Sequence, residues 1–144
     1  MKYSPFICAA VALVGCSKPA DGIKVPDATQ LKEMTATVVN TGLPTFPAGT
    51  YSIRQEDRSR ILEFLVPGKR DDSGLSKKYE MVCIIDIVTI DNQHIRYYIR
   101  SVGDNPLIMS VDDQEYYWAQ RPVKGGSDTA YALAAYVQKT GDKK

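Results

Sequence analysis

The stretch from Tyr79 to Ile90 constrains this chain more than any other. Strict alternation puts Met81, Cys83, Ile85 and Ile87 on one side and Val82, Ile84, Val88 and Ile90 on the other. A strand apolar on both faces is expected at the centre of a sheet, covered on each side. Asp91-Asn92-Gln93-His94 then reads as a turn, and Ile95 to Val102 as the returning hairpin strand. In that strand Ile95, Tyr97 and Ile99 alternate with Arg96, Tyr98 and Arg100. Asp86 breaks the apolar run. It shares a side with Val82, Ile84, Val88 and Ile90, and hairpin pairing brings it near Tyr97 or Ile99, depending on register. A buried carboxylate has to be hydrogen-bonded or paired. A structural bond to a tyrosine hydroxyl, an arginine or a loop amide is expected, with a functional acid in a pocket as the alternative.

Further strands are expected over Thr35–Asn40, Thr50–Arg54 and Arg60–Val66, the last stopped by Pro67-Gly68. Pro44 and Pro47 mark a loop from Leu43 to Gly49, and Lys69 to Lys78 reads as a charged loop. Leu107–Val111 and Glu115–Gln120 flank Asp112-Asp113-Gln114 as a second hairpin. A helix capped by Asp112 with Glu115 is the rival, and the consecutive aromatics favour strand. Two helices are expected. A short one runs over Ala28–Met34, with Asp27 as N-cap and Gln30 as its reciprocal partner. The other is capped by Asp128, runs through Ala130, Leu133, Ala134 and Val137, and closes at Lys139 and Gly141. The expectation is an α+β domain over residues 27–144: a mostly antiparallel sheet of about six strands with a C-terminal helix packed on it.

The N-terminus has a different character. A single charge at Lys2 precedes the apolar run Phe6 to Val14, the order of a secretory signal and too short to span a bilayer. That run leads into Leu13-Val14-Gly15-Cys16, which resembles the lipobox of bacterial lipoproteins. The resemblance implies cleavage before Cys16 and acylation of that cysteine, several acyl chains giving a durable anchor. Residues 1–15 are then a signal peptide, and 16–26 a lipidated cysteine with a polar, proline-bearing tether. It also implies a bacterial envelope address, with the membrane as partner through the lipid on Cys16. Ser17 after the cysteine implies the outer membrane, facing the periplasm.

Eighteen basic residues oppose 17 acidic ones, for a net charge of +1. That balance argues against nucleic acid and against a polybasic membrane-surface binder. Of three cysteines, Cys8 leaves with the signal and Cys16 carries lipid, so Cys83 has no intramolecular partner for a disulfide. Its setting, Met81-Val82-Cys83-Ile84-Ile85, suits a buried, inert thiol; reactivity would need exposure and nearby positive charge.

Neither a metal nor a cofactor is nominated. His94 is the single histidine, at a hairpin tip with Asp91 three residues away, and a metal or proton relay needs more ligands than these. Asp71-Asp72 and Asp112-Asp113 lack the ligand spacing of a calcium loop and read as turn chemistry. The residues that stand out are Arg96, Tyr98 and Arg100 on one strand face, with Ile85 and Ile87 beside them, and the run Tyr116-Tyr117-Trp118. Tyr, Trp and Arg anchor protein interfaces. The competing reading is cross-strand packing with arginine stems reaching out to water. The expected function is a non-enzymatic, lipid-anchored periplasmic module that binds a protein partner, of the inhibitor or immunity type. A structural accessory of an envelope secretion or conjugation complex is the alternative. A carrier of a small apolar ligand would need a cavity between sheet and helix. A hydrolase lacks a catalytic constellation.

Overall fold

The computed structural model describes residues 23–39, 47–102, 107–111, 113–120 and 129–144. Residues 1–22, where the signal peptide, the lipidated Cys16 and most of the tether are expected, lie outside them, as do Pro44, Asp112 and Asp128. The long apolar stretch forms β4 (Glu80–Thr89), and its hairpin partner is β5 (His94–Ser101). Asn92, at φ 62°, supplies the left-handed residue of the turn between them, a conformation Asn adopts readily. On one side of β4 lie β1 (Leu31–Val38), β2 (Gly49–Ser52) and β8 (Asp142–Lys143). On the other, beyond β5, lie β6 (Ile108–Ser110), β7 (Tyr117–Ala119) and β3 (Pro67–Arg70). The order is β3-β7-β6-β5-β4-β1-β2-β8, antiparallel at every pairing. The fold is α+β, as expected, with eight strands among the described residues rather than about six and with β4 central.

Both helices pack on one face. Ile61, Leu62, Phe64 and Leu65, in and just after a helix over Gln55–Phe64, and Leu133, Ala134 and Val137 of a helix over Ala130–Thr140 join one core with Met34, Ala36, Val38, Cys83, Ile85, Ile87, Tyr97 and Ile99. These side chains fill the space between sheet and helices.

Three elements differ from expectation. Asp27 caps as foreseen, accepting from the Thr29 amide at 2.9 Å, but only a 3₁₀ turn over Ala28–Gln30 follows. Leu31 onward is strand, because β-branched Thr35, Thr37 and Val38 pair with β4 and tertiary pairing outweighs a capping signal. The segment expected as strand Arg60–Val66 belongs instead to helix α1 (Gln55–Phe64). Its first turn carries Glu56 and Asp57 against the helix dipole, and Ile61 and Leu65 fall one turn apart on the buried side. The charged loop contributes edge strand β3 and a 3₁₀ turn at Ser76–Lys78. Within it Asp71 accepts from the Ser73 amide and from the hydroxyls of Ser73 and Ser76, which is turn chemistry.

The C-terminal helix, α2, spans Ala130–Thr140. Thr129, and not Asp128 as expected, is its N-cap: the Thr129 hydroxyl accepts from the Ala132 amide at 3.1 Å, so the helix starts one residue later. Gly141 then turns the chain into β8 with an ordinary negative φ of −81°. Glycine is needed there for space: a Cβ would lie 2.8 Å from both the Val137 carbonyl and the Tyr51 Cβ. The second hairpin, β6–β7, is strand as the aromatics suggested.

Candidate functional site

The expectation that β4 is covered on both sides fails in an informative way. A bulge between Met81 and Cys83 puts both Val82 and Cys83 in the core. Beyond it Cys83, Ile85, Ile87 and Thr89 face the helices, while Ile84, Asp86 and Val88 are only half-buried and Ile90 is exposed. The second face of the sheet carries neither described helix. Because paired residues share a face, the register draws its map. One row reads Thr37–Ile84–Tyr98–Ser110, the next Thr35–Asp86–Arg96, and the next Glu33–Val88–His94. Towards the other end lies Arg100–Ile108–Trp118. The neighbours of Arg96 and Tyr98 are therefore Ile84, Asp86 and Val88; Ile85 and Ile87, expected beside them, belong to the core face.

The six residues singled out from sequence divide three ways. Arg96, Tyr98 and Trp118 stand on the open face with at least partial exposure. Arg100 and Tyr116 are on that face but tied down. The Arg100 side chain is only 13% exposed. Its Nε donates to the Tyr116 hydroxyl at 3.0 Å, Nη1 to the Tyr79 carbonyl at 2.8 Å, and Nη2 reaches the Asp113 carboxylate at 3.4 Å. The guanidinium also lies 5.7 Å from the Tyr116 ring centroid. Tyr116 is buried and donates to Asp113. Burial, and then the bond to that carboxylate, push its phenol up against the opposing influence of Arg100. These contacts clamp the Asp113–Tyr116 segment over Arg100. Tyr117 leaves the site: alternation turns it into the helix-side core, with its hydroxyl on Glu115 at 3.1 Å.

Asp86 finds its partner in Arg96, not at Tyr97 or Ile99. Arg96 donates from Nε at 2.6 Å and from Nη2 at 3.3 Å, a two-pronged pair. The side chains are 55% and 35% exposed, so Asp86 is a surface carboxylate. The guanidinium is held charged by the Asp86 hydrogen bond first and then by one to Tyr98. Around this pair lies a shallow notch of about 200 Å³ that includes Val88 and His94. His94 begins β5 and is exposed; Asp91, across the turn, is engaged by the Thr89 hydroxyl instead. Among the described residues no group of three or more His, Cys, Asp or Glu could hold a metal.

Sequence reasoning missed the threonines of this face. Thr37 and Thr50 pair across β1 and β2 with their hydroxyls 3.2 Å apart. Their signal was present in the alternation with Ala36 and Val38, once the strand is started at Leu31. Cys83 is buried as foreseen, and burial pushes its thiol up to about 12. Among the described residues no helix is long and apolar enough to cross a membrane. No protein-family model matches the chain, and comparison with curated proteins and with solved structures finds no match.

Proposed function

We propose that this protein is a lipid-anchored envelope module, held by acylated Cys16, that binds a protein partner through the open face of its sheet. One observation carries the reading: among the described residues one face of the sheet carries no helix, and it presents Tyr98, Ile84 and Val88 around a self-neutralising Asp86–Arg96 pair, with Trp118 farther along the same face. Aromatic and aliphatic side chains with an arginine among them form the composition of an interface centre. The charges on the face offset one another, which suits a protein surface and not a polyanion. The module works by occlusion, as an inhibitor or immunity-type protein does; an accessory role in an envelope complex uses the same face.

Photo-crosslinking tests this. A photoreactive phenylalanine analogue replaces Tyr98 or Trp118 in the full chain, with Ala135 on the exposed side of α2 as the control. Both face positions should crosslink one common envelope protein while Ala135 does not. Crosslinks from Ala135 alone, or none from the face, sink the proposal. If the captured protein is a single enzyme or toxin, the inhibitor role follows; a multi-protein assembly selects the accessory role.

A further inference from the structure

We infer that the end of the sheet built from the β4–β5 turn and residues 24–26 rests on the lipid surface, with Ile90 seated in the headgroup boundary. This rests on the lipid-anchor reading above and adds an orientation to it. The chain enters the domain at a fixed point. Ile23 is buried in the core, and the buried Tyr97 hydroxyl donates to the Lys24 carbonyl at 2.6 Å. The β4–β5 turn is tied to the same end: the Ile90 amide donates to the Gln30 carbonyl at 2.9 Å, and Lys32 Nζ lies 3.3 Å from the Asn92 side-chain oxygen. Cys16 precedes Ile23 by so few residues that even full extension separates them by at most about 25 Å. An acylated Cys16 therefore holds this end nearer the bilayer than the opposite one.

The surface there suits that neighbour. Ile90 is 67% exposed, against 45% for Leu75 and 38% for Val66. With Val25, Pro26 and Ile95 it lines a cleft of about 620 Å³ between the entering chain and the turn. Lys24 and Lys32 are both exposed beside it. Asp91, the acid of the turn, is folded back onto the Thr89 hydroxyl. An apolar point flanked by lysines fits the boundary between acyl chains and anionic headgroups, where lysine stems lie along apolar surface and the ammonium groups meet phosphate. With this end down, β4 and β5 rise from the membrane and the open face looks sideways, clear for a periplasmic partner.

The test places an environment-sensitive fluorophore (NBD) on Ile90→Cys in the lipid-modified full chain, reconstituted in phosphatidylethanolamine–phosphatidylglycerol vesicles. Cys83 is buried and does not compete for label. Lys78→Cys, near the far end of β4, is the comparison site. Seating some 5 Å into the boundary predicts an emission blue shift and about twofold quenching by spin-labelled lipids at position 90, with neither at position 78. A chain that floats with vesicles while its residue 90 label stays aqueous overturns the orientation and leaves the anchor standing. Equal quenching at both positions overturns it as well, since the domain would then lie flat. A chain that does not float with vesicles overturns the anchor and this inference together.

Discussion

Arg96 and Arg100 leave the same face of β5 with only Tyr98 between them on that face, yet they do opposite jobs. Arg100 is enclosed by Tyr79, Asp113 and Tyr116 and holds the Asp113–Tyr116 segment down on the sheet. Arg96 meets one carboxylate, in water. The difference comes from what lies above each: Tyr116 is buried over the first, whereas the second faces a shallow open notch. Residue type and strand face were the same in both cases. Coverage decides whether an arginine is structure or surface, and coverage is a property of distant chain.

The sharpest way to break the contrast between covered and open regions uses two adjacent isoleucines of β4. Ile85 is fully buried under the helices, whereas Ile84 is half-buried on the open face. Ile85→Ala should cost about 3–5 kcal/mol in urea unfolding, through lost transfer energy and the cavity left behind. Ile84→Ala should cost about 1 kcal/mol. Equal losses would mean that the second face is packed too, and the proposed interface would go with it.

Arg100→Ala comes next. It strips Asp113, Tyr116 and the Tyr79 carbonyl of their shared donor, and should cost about 1.5–3 kcal/mol, the range of hydrogen bonds to charged groups. The far-ultraviolet spectrum should persist while near-ultraviolet signal from the tyrosines changes. A neutral result would show the clamp to be incidental. Arg100 is accordingly a poor choice for testing partner binding, because its loss disturbs the face it sits on.

Tyr97 offers a test through pH. Burial pushes its phenol up from 10.0 to about 12. A folded-state pKa above the unfolded value means a contribution fully present below pH 10 and lost as pH rises towards 12. Cys83, raised from 9.0 to about 12 by burial, acts in the same direction from a lower starting pH. Stability should therefore fall above about pH 9. Tyr97→Phe should flatten the part of that fall above pH 10, at a cost near 1 kcal/mol at neutral pH for the hydrogen bond to Lys24. An unchanged alkaline slope in Tyr97→Phe would show that the phenol is not buried in the folded chain, and an unchanged stability at neutral pH that its hydroxyl does not hold the entering chain.

Much of the fold could be read from residues taken locally. β4, β5 and α2 announced themselves by apolar period and the second hairpin by its consecutive aromatics, and the class followed. α1 was lost because Ile61, Leu62, Phe64, Leu65 and Val66 make a dense apolar run, in which helix and strand periods are hard to separate. The acidic turn before it was the discriminating signal. The Ala28–Met34 helix was over-read because a good cap can serve a single 3₁₀ turn. At the candidate site, alternation alone separated Tyr98 and Arg96 from Tyr97. It could not separate Arg96 from Arg100, nor foresee that the β4–β5 turn would set a register that puts Asp86 opposite Arg96. The first of these outcomes depends on partners distant in sequence.

The smallest expected change in stability belongs to Arg96, and it is the most useful for the interface. Exposed ion pairs contribute little, because water and salt screen them and two long side chains lose freedom in forming them. Arg96→Ala should leave the urea midpoint where it was. The pair nevertheless holds its guanidinium at the centre of the open face, beside Tyr98. A partner seated there would exclude water from that charge, and arginines in such positions are frequent hot spots. Arg96→Ala should therefore sharply reduce the crosslink from position 98 in a protein that is otherwise as stable as before. Asp86→Ala, which frees the same arginine without removing it, should change the crosslink less than Arg96→Ala does. If Arg96→Ala unfolds the domain as readily as Arg100→Ala, the two arginines are alike and the contrast between them is wrong. If it changes neither stability nor crosslinking, the contrast survives and the partner sits elsewhere.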